Sequence, residues 1–239
     1  VSVRITGNPS YVDTGVGVDP SGGDATVMGW GLTTAGDFGN GPRLCSRWGA
    51  GAADRYLLQV SVTGFPLFAI LGSDLAGQSV TALTQLKVQT WYHLAATYIR
   101  STSLIIYVNG IQSNILTAAV KPNLSATNPP STLRFGLDSA GGIGQWEGQL
   151  AECATWNRAL SAAEILSIAT NAASPLSVAT PTGYWNLCGY DRLEPDKSGR
   201  GNFGTPSGTV AFNADHPRAN VCEPVGPPPP PISGRGATW

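Results

Sequence analysis

The sequence predicts an all-β protein, an antiparallel sandwich of the jelly-roll type, and three observations lead there. Apolar and polar residues alternate over short segments, the period of a half-buried strand. Those segments recur at short spacing, separated by the Gly, Pro and Asn that turns require. Finally, 30 Gly and 18 Pro in 239 residues would break the helices of a bundle or coiled coil. Composition narrows function as well. Lys+Arg number 14 and Asp+Glu 15, so the net charge is −1 and 12% of residues are charged, about half the usual share of roughly 25%. That balance leaves no basic face for nucleic acid or anionic lipid. A hydrophobic content of 42% can bury a core and excludes global disorder. There is no run of 18 apolar residues that could span a membrane as a helix.

Each element has its local reason. Ser2-Val3-Arg4-Ile5 alternates, Gly7-Asn8-Pro9 reads as a turn, and Tyr11-Val12 resumes. Residues 25–32 form a strand with Val27 and Trp30 as core anchors. Residues 36–42, rich in Gly, Asn and Pro, form a loop. Residues 55–62 and 65–71 pair across Thr63-Gly64. Residues 91–98 are alternating, β-branched and aromatic. Residues 103–109 end in Asn109-Gly110, a strong hairpin signal, and 111–116 return. Strands are also expected over 133–137 and 149–156. In the strand at 91–98, Tyr92, Leu94, Ala96 and Tyr98 share one face, and that face is chosen for the core. One short helix follows Ser161-Ala162-Ala163-Glu164, a capping box in which Ser accepts from the third amide and Glu reaches back. Gly183 to Leu187 is expected as the last strand. Three regions result: a jelly-roll domain over 1–205, a loop-rich extension over 206–223 and a Pro-rich C-terminal arm over 224–239.

The four cysteines are Cys45, Cys153, Cys188 and Cys222. No CxxC or Cys/His cluster suggests structural zinc. Cys188 with Cys222 is the first choice for a disulfide, and closing that loop contributes about 3–4 kcal/mol. Cys153 lies in an apolar strand, where a small buried thiol is expected. The sequence begins at Val1 without a basic-then-apolar leader, a start that signal cleavage or Met removal could each leave.

Beside the opening Val3-Arg4-Ile5-Thr6-Gly7 with Tyr11-Val12, which resembles the first strand, three stretches resemble the laminin-G-like family of concanavalin A-like lectin/glucanase jelly rolls. One is Trp91-Tyr92-His93-Leu94-Ala95 with Tyr107-Val108-Asn109-Gly110. A second is Gly148-Gln149-Leu150-Ala151-Glu152 continuing through Trp156-Asn157-Arg158-Ala159-Leu160-Ser161 to Ile165. The third is Gly183-Tyr184-Trp185-Asn186-Leu187 with the Asp196 to Asn202 turn, an element that in the family often precedes the jelly roll and here follows it. The resemblance implies the fold, a carbohydrate-binding surface and calcium as the usual metal of the ligand site. Function is argued separately from fold.

Candidate sites follow. Glycosidases of this fold use two carboxylates a few ångströms apart. The clustered E-x-D-x-x-E signature is absent, and the five glutamates are Glu147, Glu152, Glu164, Glu194 and Glu223. Glu147 and Glu152 fall on opposite sides of a regular strand, and Glu152 is read as structural, so no catalytic residue and no enzyme is expected. His93 and His216, the two histidines, are read as a hydrogen-bonded strand residue and a loop residue. Calcium candidates are Asp13, Asp37, Asn40 and Asp138, although Asx residues in turns usually cap backbone. Candidate sugar-binding aromatics are Trp48, Trp146 and Tyr190, with plugging the sandwich ends as the alternative. The run Pro227, Pro228, Pro229, Pro230, Pro231, then Ile232 and finally Trp239, forms a polyproline arm suited to docking on protein subunits. The expected function is a non-catalytic structural or decoration protein of an ordered assembly, on a virion, phage or cell surface, outside the cell. The alternative is a secreted lectin-like module that binds glycans. The low charge favours close packing between copies, since little charge must be desolvated.

Overall fold

The computed structural model describes residues 2–15, 23–34, 38–39, 41–48, 56–74, 76–124, 132–138, 143–188, 193–213, 215 and 217. Among them are thirteen strands and two short helices. In chain order the strands are β1 Ser2–Asp13, β2 Ala25–Thr33, β3 Arg43–Arg47, β4 Tyr56–Val60, β5 Pro66–Leu71, β6 Gly77–Thr81 and β7 Tyr92–Ile99. They continue with β8 Ser103–Val108, β9 Ile111–Leu116, β10 Arg134–Phe135, β11 Gly148–Trp156, β12 Gly183–Trp185 and β13 Thr205–Asn213. Helix α1 is Ala162–Ala169 and α2 is Pro175–Val178.

The strands pair antiparallel in the order β6-β5-β4-β3-β10-β1-β11-β2-β7-β8-β9, with β12 on β11 and β13 on β1. Strand β1 turns the corner of the sandwich. Its first half pairs β11 through Val3, Arg4 and Ile5, and its last residues pair β10 through Val12 and Asp13. The two layers fold face to face, so that β5 and β6 pack on β8 and β9. Side chains sew the two outer edges together: the Asn114 amide donates to the Thr81 carbonyl, and the Leu83 N–H donates to Ser113 Oγ.

The chosen core face holds. Leu94, Ala96 and Tyr98 are buried in the main cluster between the layers, with Tyr92 packed against it. The opposite face is buried too. Ala95 joins Met28, Tyr107 and Trp156 in a second cluster beneath Leu160, Ile165 and Ile168 of α1 and its approach. All nine residues of β2 are therefore buried, because this part of the sheet has a layer on each side.

Two readings are corrected. Gly7-Asn8-Pro9 does not reverse the chain. It is a bulge within β1, where the register with β13 shifts between Thr6 and Tyr11 and Gly7 takes φ +72°. Nor is the start of 206–223 loop. Thr205–Asn213 is a strand that follows β1 from Asp13 back to Ser2. Opposite the bulge, Gly208 has φ +74°, and a Cβ there would lie 2.2 Å from the Pro9 carbonyl, so only glycine fits.

Candidate binding cleft at the corner of the sandwich

Among the described residues, a concavity lies where the second half of β1 meets the start of β13. It has a volume of about 600 Å³ and is lined by Tyr11, Asp13, Thr14, Asn202, Phe203, Thr205 and Ser207, among others. One wall is the turn from Asp196 to Asn202. Asp196 Oδ1 accepts from the N–H groups of Tyr184 (3.1 Å) and Ser198 (2.9 Å), and Oδ2 accepts from that of Asn202 (3.0 Å). The indole N–H of Trp185 donates to the Asn202 carbonyl at 2.7 Å, and the Asn202 amide donates to the Thr182 carbonyl at 3.3 Å. This explains the D-K-S-G-R-G-N sequence: one carboxylate gathers three amides, and the turn is pinned to β12. Phe203 leaves that turn 52% exposed.

The opposite wall is fixed by an ion pair. Asp13 Oδ2 accepts from Arg134 Nε (2.9 Å) and Thr132 Oγ1 (2.9 Å), while Oδ1 accepts from the Gly15 N–H (2.8 Å). The same guanidinium donates from Nη1 to the Asp138 carbonyl at 3.3 Å and lies 4.3 Å from the centre of the Tyr11 ring, a cation–π contact.

Of the four calcium candidates, the two described ones, Asp13 and Asp138, are each paired with a guanidinium. Asp13 is held by Arg134, and Asp138 is 5% exposed with its carboxylate 3.0 Å from Arg43 Nη2. Calcium needs six to eight oxygens, and these two carboxylates are committed to guanidinium groups. Among the described residues there is no group of three or more His, Cys, Asp or Glu that could hold a metal. Asp37 and Asn40 lie outside the described residues.

The aromatic candidates separate. Trp146 is fully buried, and its indole N–H donates to the Leu32 carbonyl at 3.1 Å. Its ring occupies the space left by Gly31, where a Cβ would lie 2.4 Å from the indole carbons. It is a plug, which corrects its reading as a sugar platform. Trp48 is half-buried beside a depression of about 190 Å³ formed with Ala69, Gly77, Gln78 and Ser79. The Gln78 amide there is engaged with the Ala119 carbonyl and the Lys121 N–H. Tyr190 lies outside the described residues, as do the arm residues Pro227 to Pro231, Ile232 and Trp239. Tyr11 and Phe203, which edge the cleft, were not singled out from sequence. The one available signal was that Phe203 directly follows the Gly-Arg-Gly-Asn turn.

Three of the four described glutamates are sealed or engaged. Glu152 is fully buried, accepts a hydrogen bond from the Tyr184 hydroxyl, and has φ +53° at the bulge where the β11 register shifts. Glu194 is fully buried and accepts from the Cys188 N–H at 2.9 Å. Glu164 belongs to the α1 cap. Of the described glutamates Glu147 is the exposed one. His93 is fully buried, with Nε2 3.4 Å from Met28 Sδ and the ring edge-on to Trp30. His216 lies outside the described residues. Cys188 is disulfide-bonded, Cys45 and Cys153 are free buried thiols, and Cys222 lies outside the described residues.

Two antiparallel layers joined by a corner strand, with a helix on one outer face, define a β-sandwich of the concanavalin A-like class. The chain belongs to the concanavalin A-like lectin/glucanases superfamily, whose laminin G-type family profile matches residues 6–166. Among solved structures it is similar to a candidate carbohydrate-binding protein from Bacteroides ovatus ATCC 8483, with a TM-score of 0.65 and 18% identity over 90% of this chain. The chain spans 61% of that protein's length. It is also similar to the native heptameric SAP-like pentraxin of Limulus polyphemus, with a TM-score of 0.52 and 16% identity over 70% of this chain and 80% of the pentraxin chain. At these identities the likeness is one of fold. No curated protein matches the sequence. Among the described residues, no helix is long and apolar enough to cross a membrane.

Proposed function

We propose that this chain is a non-catalytic carbohydrate-binding module that takes a glycan in the cleft between Tyr11 and Phe203. One observation carries the reading. Phe203 is a large apolar side chain left 52% exposed on a turn that the Asp196 carboxylate makes rigid. An exposed ring on a rigid support offers stacking area to the apolar face of a sugar at little entropic cost. The hydroxyls of Thr205 and Ser207 beside it suit sugar hydroxyls. The sealed Glu152 and Glu194 support a binding role over hydrolysis, since a glycosidase needs two carboxylates reaching the scissile bond. The disulfide at Cys188 supports an oxidising, extracellular setting.

Glycan-array binding of the full chain tests this. Phe203→Ala is expected to weaken binding about ten-fold, equivalent to about 1.4 kcal/mol, with an unchanged melting temperature. Loss on Trp48→Ala instead would move the site to the β5–β6 depression. The absence of any glycan ligand would sink the reading.

A second reading, as a subunit of an ordered assembly, draws support from apolar exposure beside an edge strand. Ile111 (62%) and Ile115 (42%) of β9 and neighbouring Leu83 (74%) are exposed, and β9 ends the strand order with one partner. The Pro-rich arm adds a compositional argument. Trimming residues 224–239 is expected to lower self-association, measured by sedimentation; unchanged association would remove the arm from the proposal.

A further inference from the structure

We propose that the corner cleft binds an uncharged glycan without calcium, because Asp13, the carboxylate in its described lining, is paired with Arg134. The inference rests on the glycan-cleft reading and adds the ligand's charge class and its metal requirement. A calcium-dependent sugar site uses the ion to join protein carboxylates to sugar hydroxyls. Here a covalently attached cation already occupies the carboxylate. Arg134 binds Asp13 Oδ2, reaches the Asp138 carbonyl, and covers one face of the Tyr11 ring.

Most of the remaining acceptor positions of Asp13 are also in use. With Arg134, the Thr132 hydroxyl and the Gly15 N–H, the carboxylate receives three hydrogen bonds, close to the roughly four that a carboxylate can accept. A calcium ion would have to displace the guanidinium, whose side chain is 18% exposed. That would strand a partly buried cation, a cost that few metal–oxygen bonds to one carboxylate could offset. The same pairing sets the charge of the cleft. Among the described residues of its lining Asp13 is the one carboxylate or cation, and Arg134 pairs with it. A sialylated, uronic or sulfated sugar would therefore meet a spoken-for guanidinium and a carboxylate of like charge. A neutral sugar meets two aromatic rings and the hydroxyls of Thr205 and Ser207.

The test is titration of the full chain with neutral, sialylated and sulfated glycans, each in calcium and in EDTA, beside Phe203→Ala. The expected result is binding of neutral glycans, equal in calcium and in EDTA, and lost in Phe203→Ala. Glycan binding that EDTA abolishes and calcium restores would overturn the inference. So would a preference for acidic glycans. In either case, loss in Phe203→Ala would leave the cleft itself standing. Absence of all glycan binding would instead remove the underlying site, and the inference with it.

Discussion

Glu164 shows how much one side chain can be asked to do. Its Oε2 accepts from the Ser161 N–H at 2.7 Å, closing the capping box of α1, and both its oxygens accept from the Arg158 guanidinium at 2.6 and 3.0 Å. The Arg158 hydrogen bonds, followed by those from Ser161 against an opposing desolvation, bring its carboxyl down to about 2. The folded pKa lies below the unfolded value of about 4.3. The charge therefore stabilises the fold above that value, and the contribution is lost as pH falls through about 2. Glu164→Ala is expected to cost about 1 kcal/mol near neutral pH, the usual worth of a helix cap. The exposed ion pair with Arg158 adds little. Urea unfolding should show the mutant and parent converging as pH falls from about 4 to 2; a gap that persists at low pH would contradict this. The cap was legible, because the residue types and spacing sufficed. Trp146 as a plug was legible only as one of two alternatives, because its burial depends on Gly31 in β2, far away in sequence. Only the missing Cβ makes room for the indole.

At the scale of elements, the hairpins with strong turn chemistry were read from sequence. Asn109 and Gly110 both adopt positive φ, +51° and +81°, as the two-residue turn requires. The Asn109 side chain also accepts from the His93 N–H. The strands missed were those whose identity comes from their neighbours. Arg-Leu-Cys-Ser-Arg of β3 does not alternate, and a register shift against β4 at its start breaks the period. Gly-Gln-Ser-Val-Thr of β6 buries only Val80, since an edge strand has one covered face and a solvated one. In β13, Pro206 and Gly208 read as turn residues. Yet β13 pairs with β1 alone, so Pro206 can sit on an edge strand, while Gly208 answers the bulge at Pro9.

For the whole molecule, the cleft was out of reach of local reading because its walls come from positions 11–15 and 201–207. Only the pairing of β13 along β1 brings the two together. The low charge also takes on a structural meaning. The part of the sheet around β2, β7 and β11 is covered on both faces, by the facing layer on one side and α1 with its approach on the other, so few of those strand positions could carry a charge. This architecture makes a prediction about cooperativity. Cys45 lies in β3 of one layer and Cys153 in β11 of the other, and both are buried. Burial pushes the Cys45 thiol up to about 12, against a smaller opposing hydrogen bond from Leu58. Burial, then Cys45 and Glu152 nearby, raises Cys153 well above its ordinary value. Neither thiol therefore presents a reactive thiolate in the folded state. If the layers share one core, both should resist alkylation under native conditions and become labelled together, at the rate of global unfolding. Mass spectrometry of partly labelled chains checks this. Early, separate labelling of either cysteine would show that the layers open independently.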